Sequence, residues 1–287
     1  MKGRRVALTG LGCLTPIGNG VPAFTEGLRS GLSGVGRIAL FDPAALDVTI
    51  AAEVKGFDPE SALPAKELRH VARVVPLSIA AAGEALASAG IDTESLSLEE
   101  RRRIAVVFGT GGGPVEFFEK MYGHWYRGDL KKASVYSIPT GTMGTLSSEI
   151  SMRFGLKGRS HVITTGCTSS ADAMGYAARL VAWGDEDLVL TGGGDAVITP
   201  GIMTGFSLMQ ILSTPVKAHL GPQAGPSTPG ATDSFSARAR GCSSSSLWKG
   251  RARAAPACSP RSAATARPAM PTTASASTNR AKSRRAR

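Results

Sequence analysis

Residues 161–193 read HVITTGCTSSADAMGYAARLVAWGDEDLVLTGG and contain the clearest indication of the fold class. The apolar, β-branched run at 161–165 predicts a short strand, and residues 168–183 predict a helix. Gly184 ends that helix, because glycine is the residue that most readily adopts the left-handed conformation beyond a helix terminus. DLVLTGG at 187–193 predicts a second strand. A strand, helix and strand in this order form a βαβ unit with two parallel strands.

Other segments of the first three quarters of the chain extend this pattern. IAVVFG at 104–109 is a continuous apolar run, typical of a strand covered on both faces. We further predict a strand at 4–9, a helix near 22–30, a helix at 66–89 begun or kinked by Pro76, and a helix at 140–155. Alternating strands and helices predict an α/β domain over residues 1–213.

The last quarter of the chain has a different composition. Of the 33 Lys and Arg residues, 13 lie in 214–287, against 1 of the 22 Asp and Glu residues, so residues 1–213 are nearly neutral. The tail is rich in Ala, Ser, Arg, Pro and Thr and shows no sustained period, which predicts disorder. The basic charge therefore gives no reason to expect that the folded part binds a nucleic acid or a membrane surface.

No segment of the sequence suggests export or membrane insertion. The start, MKGRRVALTG, is followed by Gly12, Thr15 and Pro16, which interrupt any apolar signal core. No run approaches the roughly 18–20 apolar residues that span a bilayer. We expect a cytoplasmic protein.

The four cysteines, Cys13, Cys167, Cys242 and Cys258, have no metal-ligand spacing, so we expect no metal ion. Cys167 alone lies at a predicted strand-to-helix junction, where Gly166 permits a tight turn. A helix N-terminus favours the thiolate, which is the reactive form of cysteine. The residues after it, Thr168 to Ala171, are small and leave room for a substrate. Cys167 is therefore the candidate nucleophile, with Cys13 expected to have a packing role.

Two glycine-rich stretches allow a nucleotide-binding interpretation, which we do not favour. Residues 109–113 are Gly-Thr-Gly-Gly-Gly after a strand, but Pro114 follows instead of the Lys-Ser or Lys-Thr of a phosphate loop. Near the start, Gly10 and Gly12 are followed by Thr15 where a dinucleotide fingerprint needs glycine. Crowded glycines also pack strands against helices, which is the role we expect for residues 192–194.

Four blocks resemble the condensing enzymes of the β-ketoacyl-acyl carrier protein synthase family. They are RRVALTGLGCLTPIGNG (4–20), RHVARVVPLSIAAAGEALASAGI (69–91), TTGCTSSADAMGYAARLVAWGDEDLVLTGGGDA (164–196) and TPGIMTGFSLMQILST (199–214). The resemblance covers nearly all of 4–214. It implies a thiolase-like layered αβαβα fold, present here as its amino-terminal half, and places Asp195 and Thr199 at structural positions.

The resemblance also implies a reaction. Cys167 would accept an acyl group from the phosphopantetheine of an acyl carrier protein. Malonyl-acyl carrier protein would then lose carbon dioxide and its carbanion would attack the thioester, in fatty-acid or polyketide synthesis. The family implies a homodimer and no cofactor. The residues 143, 146, 150 and 154 would line the acyl tunnel or the dimer interface, although their spacing favours an ordinary core helix.

The family's two catalytic histidines and lysine belong to its second half, and the tail lacks them. His70 in a predicted helix, His124 in a predicted loop and His161 at a strand start suggest surface or packing roles. Codons for ATDSFSARARGCSSSS (231–246), read two bases later, can spell DGFVLGEGAWMFVLE, a family block. AATARPAMPTT (263–273) can likewise give GHGSTCDAYH, the block with the first catalytic histidine. We therefore predict that residues from about 215 onward are an out-of-frame translation.

Two other functions remain to be weighed. A non-catalytic subunit similar to a chain-length factor would dimerise with a true synthase, but such relatives usually replace the nucleophile that Cys167 retains. The second alternative is a disordered arm at 214–287 that neutralises nucleic-acid phosphates. This segment lacks interleaved aromatic residues, which speaks against that function.

Overall fold

The computed structural model describes residues 5–213 and, by their backbone alone, residues 238–243. In chain order its elements are β1 (Ala7–Thr15), β2 (Gly18–Asn19), α1 (Val21–Arg29), β3 (Val35–Arg37), β4 (Ile50–Ala52), a 3-10 turn (Pro59–Ser61), α2 (Ala65–Leu68), α3 (Val74–Ser88), α4 (Leu98–Arg102), β5 (Ile104–Gly109), α5 (Val115–Tyr126), a 3-10 turn (Leu130–Lys132), α6 (Ser137–Gly141), α7 (Thr145–Arg153), β6 (Ser160–Ile163), a 3-10 turn (Gly166–Thr168), α8 (Ser169–Trp183), β7 (Leu188–Gly193), α9 (Pro200–Leu208) and β8 (Arg238–Ser243).

Six of the strands form one mixed sheet in the order β2-β1-β8-β7-β5-β6. β5 is parallel to both β6 and β7, as the βαβ pattern predicted. β8 is antiparallel to its neighbours β1 and β7. The short strands β3 and β4 form a separate two-stranded ribbon, which the sequence did not suggest.

Helices cover both faces of the strand β5. Ile104, Val106 and Phe108 belong to an apolar cluster with α3 and α7. Ala105 and Val107 point to the other face and pack with apolar residues of α8. All six residues of β5 are buried. The prediction of a strand covered on both faces is confirmed, and α8 is the helix that carries the candidate site.

The predicted element types hold better than their boundaries. β1 runs to Thr15 and does not stop before the glycines, since Gly10 and Gly12 lie against α3 within the strand. The helix predicted at 66–89 is two helices, and Pro76 lies in the first turn of the longer one, α3. The helix predicted at 140–155 is Thr145–Arg153. Gly184 ends α8 with φ of 84°, as expected.

The structure differs from the predicted disorder of 214–287 at one place. Residues 238–243 form β8, whose backbone pairs with β1 and β7. Strand pairing is made by main-chain N–H and C=O groups, so a segment without an apolar pattern can still complete a sheet. The other residues of the predicted tail lie outside the described residues.

Candidate active site

Cys167 lies in a sharp turn between β6 and α8. β6 ends at Ile163, and Gly166 adopts φ of 66°, in the left-handed region that glycine enters without strain. The turn Gly166–Thr168 follows, and α8 begins at Ser169. The side chain of Cys167 is exposed. The expected strand-to-helix junction is therefore present, and the sulfur is not enclosed by apolar side chains.

The first turn of α8 packs closely on the ends of two neighbouring strands. Ile163, Gly109 and Gly193 end the parallel strands side by side, with Gly109 in the middle. A Cβ atom on Gly109 would stand 2.3 Å from the carbonyl oxygen of Ser169. On Gly193 it would stand 2.9 Å from the Cβ of Ser170. Because these two residues have no side chain, α8 can pack this closely on the sheet.

A small polar network surrounds the turn. The hydroxyls of Thr165 and Thr168 donate to the same carboxylate oxygen of Asp172, at 2.5 and 2.9 Å. Ser169 accepts from the backbone N–H of Thr165 at 2.9 Å and donates to the carbonyl of Gly166 at 2.6 Å. Residues on both sides of Cys167 are thus restrained by side chains of α8.

The hydrogen bond from Thr165, followed by that from Thr168, holds the pKa of Asp172 below its ordinary value. A lowered folded-state pKa contributes stability above the unfolded-state pKa, and this is lost as pH falls through the folded-state pKa. Asp172→Asn is therefore expected to lower Tm slightly at pH 7, by at most about 2 °C. The difference from wild type should shrink as pH falls through the folded-state pKa of Asp172. Thermal unfolding over an acid pH series measures it, and a difference that does not change with pH would contradict this account.

The glycine-rich loop after β5 encloses a carboxylate of the chain itself. Asp195, which follows β7, accepts from the Thr110 hydroxyl at 2.6 Å and from the backbone N–H groups of Gly111 and Gly112 at 3.1 and 2.8 Å. Such a run of N–H groups is an anion-binding arrangement. Because Asp195 occupies it, the loop is not open to a nucleotide phosphate.

The other candidate residues lie elsewhere. Cys13 is 5% exposed within β1, in agreement with a packing role. His70 lies in the turn after α2, not in a helix, and the centroid of its ring is 4.0 Å from the ring centroid of Tyr136. His124 lies within α5 and not in a loop, because the helix starts directly after Pro114. His161 lies in β6, as predicted.

Leu146 and Ile150 of the predicted helix face are buried in the main cluster with α3, whereas Met143 lies before α7 and is 37% exposed. The core interpretation fits the two buried residues. Sequence reasoning missed the network of Thr165, Thr168 and Asp172. The spacing of Asp172 five residues after Cys167, one turn into the helix, was its only signal.

The described part of the chain contains neither a metal-binding cluster nor a membrane-spanning helix. Residues 5–213 hold no group of three His, Cys, Asp or Glu side chains placed to bind a metal ion. No helix in the part of the chain that the structure describes combines the length and the apolar content that crossing a bilayer requires.

An exposed cysteine on a strand-to-helix turn, at the carboxyl edge of parallel strands between helical layers, places the protein in the class of thiolase-like α/β folds. Residues 3–241 match the family described as β-ketoacyl synthase, N-terminal domain. The match extends past residue 213 and includes most of β8. The chain belongs to the β-ketoacyl synthase family.

Relatives and solved structures agree with this membership. The chain is 34% identical over 214 residues to 3-oxoacyl-[acyl-carrier-protein] synthase 2 of Vibrio cholerae, and equally to that of Coxiella burnetii. Each match covers 75% of this chain and 51% of the relative, so the chain spans about half the length of these curated relatives.

Among solved structures, the ishigamide ketosynthase/chain length factor superposes with a TM-score of 0.72 at 26% identity, over 84% of this chain and 59% of that one. A type II polyketide ketosynthase in complex with its acyl carrier protein gives a TM-score of 0.67 at 18% identity, over 85% and 64%. At that identity the second similarity concerns the fold alone.

Proposed function

We propose that this chain is the amino-terminal half of a β-ketoacyl-acyl carrier protein synthase and that Cys167 is its acyl-accepting nucleophile. The observation that carries the proposal is the exposed position of Cys167 in the turn before α8, in a chain of this family. The names of the curated relatives supply the substrate class.

The first half-reaction is acyl transfer. The Cys167 thiolate attacks the carbonyl carbon of an acyl thioester on carrier-protein phosphopantetheine, a new C–S bond forms, and the pantetheine thiol leaves with a proton. The N-terminal end of α8 supports this step, because Cys167 directly precedes the helix and the helix macrodipole favours negative charge beside its first turn. The small residues after Cys167 leave the sulfur open to solvent.

The second half-reaction is condensation. Malonyl-acyl carrier protein loses carbon dioxide, and the carbanion attacks the acyl group on Cys167 to form a C–C bond and release the sulfur. The family resemblance assigns the two histidines and the lysine of this step to the carboxyl-terminal half. We propose that residues from about 215 onward are translated out of frame, so that the chain as written performs acyl transfer without condensation.

The exposed apolar side chains of the α5–α6 region support a homodimer, which we also propose. Tyr126, Val135 and Ile138 are each more than 80% exposed, and β6 is an outer strand of the sheet among the described residues. Patches and strand edges of this kind are commonly covered by another chain. We propose a cytoplasmic location, as for an enzyme that works with carrier-protein substrates.

The proposal predicts a covalent acyl-enzyme. The full chain is incubated with an acyl-acyl carrier protein, digested and examined by mass spectrometry. The expected result is an acyl mass added to the peptide that contains Cys167. Alongside it, a chain translated in the corrected frame should acquire the adduct and also release β-ketoacyl product when malonyl-acyl carrier protein is added. Absence of the adduct from both chains would reject the proposed function.

A non-catalytic subunit is the competing function. The similarity to a structure named as a ketosynthase/chain length factor is the observation that keeps it open. The same experiment separates the two, because such a subunit forms no acyl adduct. The coding DNA decides the frame separately: a single intact frame, with the written tail found in the expressed protein, would refute the frame slip.

A further inference from the structure

We infer that Asp195 is a positioning residue for Cys167: its buried carboxylate holds the loop 110–113 against the backbone of Gly166 and so restrains the turn that presents the sulfur. The family match alone suggested only a structural role for Asp195. The inference rests on the proposed role of Cys167, since a restrained sulfur matters only if the sulfur reacts.

The Asp195 carboxylate is a buried centre of hydrogen bonds. Asp195 is 8% exposed, and its partners among the described residues are the Thr110 hydroxyl and the N–H groups of Gly111 and Gly112. The Thr110 oxygen in turn accepts from the N–H of Gly113 at 2.9 Å. A buried carboxylate is tolerated when hydrogen-bond donors surround it in this way. Asp195 thereby organises the whole loop.

The loop then meets the turn that carries Cys167. A Cβ atom on Gly111 would lie 3.0 Å from the carbonyl oxygen of Gly166, so the two backbones are in direct contact. Nothing lies within 4 Å of the Cβ position on Gly166 itself, and this residue is exposed. Among the described residues, the contact with Gly111 therefore supports the turn on one side and the Ser169 and Asp172 hydrogen bonds support it on the other.

The arrangement joins the carboxyl ends of three parallel strands. β7 leads to Asp195, β5 leads to the loop that Asp195 binds, and β6 leads to Gly166 and Cys167. The β5 end is the middle one, so the loop after it is the only one that adjoins both others among these strands. Loss of the carboxylate should release the middle loop and, through it, the turn before α8.

The test compares Asp195→Asn with a matched carboxylate. Asparagine keeps the size of the side chain but presents an NH₂ group to N–H and hydroxyl donors. Glu119→Gln is the control, because Glu119 likewise accepts from a threonine hydroxyl and a glycine N–H, those of Thr199 and Gly201 at the start of α9. Amide hydrogen exchange and acylation by acyl-acyl carrier protein are measured on the full chain below the Tm of each variant.

Asp195→Asn is expected to speed exchange both in 110–113 and in 164–168 and to slow acylation of Cys167 by roughly tenfold or more, because acyl transfer depends on orientation. Glu119→Gln should leave residues 164–168 and the acylation rate unchanged. If Asp195→Asn does not fold, Thr110→Val is the second variant: it removes the hydrogen bond to Asp195 and the one from the Gly113 N–H but keeps the Asp195 carboxylate. It should show the same pattern more weakly, with Thr110→Ser restoring wild-type behaviour.

Faster exchange confined to 110–113, with normal acylation, would overturn the inference and leave Asp195 a local structural residue. If neither the wild-type chain nor the chain translated in the corrected frame is acylated, the proposed function fails. The exchange in 164–168 still decides whether Asp195 restrains the turn.

Discussion

Cys167→Ala is expected to abolish the acyl adduct, and Cys167→Ser to reduce the acylation rate by at least about a thousandfold. Alanine has no nucleophilic atom. Serine keeps the position of the reacting atom, but its hydroxyl stays protonated at neutral pH and needs a neighbouring base. The side chains that hydrogen-bond around the turn are two threonines, a serine and Asp172. Both threonine hydroxyls donate to one oxygen of Asp172, and the lowered pKa of this carboxyl makes it a weak base.

Peptide-resolved mass spectrometry with a rate measurement checks this expectation. Cys13→Ala is the matched control, because Cys13 is buried in β1 and its removal should leave the adduct on Cys167. Both substitutions at position 167 replace an exposed side chain, so Tm should change little. An acyl adduct that is still formed by Cys167→Ala, or an adduct found on another cysteine of the wild-type chain, would show that the nucleophile has been misassigned.

Gly109→Ala is expected to have the second largest effect, lowering the free energy of unfolding by about 3 kcal/mol and Tm by roughly 10 °C. The new methyl group would stand 2.3 Å from the carbonyl oxygen of Ser169 and 2.6 Å from the backbone nitrogen of Ser170. Neither atom belongs to a flexible side chain, so α8 must move away from the sheet. Cys167, two residues before Ser169, should move with it, and acylation should fall sharply.

The control for this substitution lies on the same helix. Gly175 is in α8, and nothing lies within 4 Å of a Cβ atom placed on it. Gly175→Ala should therefore stabilise the protein by about 0.5–1 kcal/mol through helix propensity and leave acylation intact. Thermal unfolding and the acylation rate of both variants give the comparison. Equal, small effects of the two substitutions would contradict the close packing of α8 on β5.

The elements whose side chains follow one period were predictable from the sequence. β5 is a continuous apolar run, and both of its end residues were predicted correctly. The βαβ unit around Cys167 was predicted because Gly166 marks the turn before the helix and Gly184 marks the end of the helix. α5 was missed, because Gly109 to Pro114 suggested an extended turn region and Pro114 stands directly before the helix.

The supporting contacts of the site were beyond sequence reasoning. Asp195 and Gly111 are 84 residues apart in the chain and meet only because β5 and β7 are neighbours in the sheet. The network at Asp172 is local, but the choice between a solvent-exposed carboxylate and one that receives two hydroxyls depends on the shape of the turn. The glycine-rich stretches were ambiguous, because glycine is needed both where backbones pack closely and where backbone N–H groups bind an anion.

The position of β8 has a consequence for the order of assembly. Its backbone lies between β1 and β7, so the last of the described strands to leave the ribosome fills an interior place of the sheet. During synthesis, β1 and β7 would each present an unpaired edge until that segment emerges. Such edges are templates for pairing with other chains, and sheets closed by distant segments form slowly. Chaperone dependence and inclusion-body formation should therefore increase when this late segment is delayed or lost.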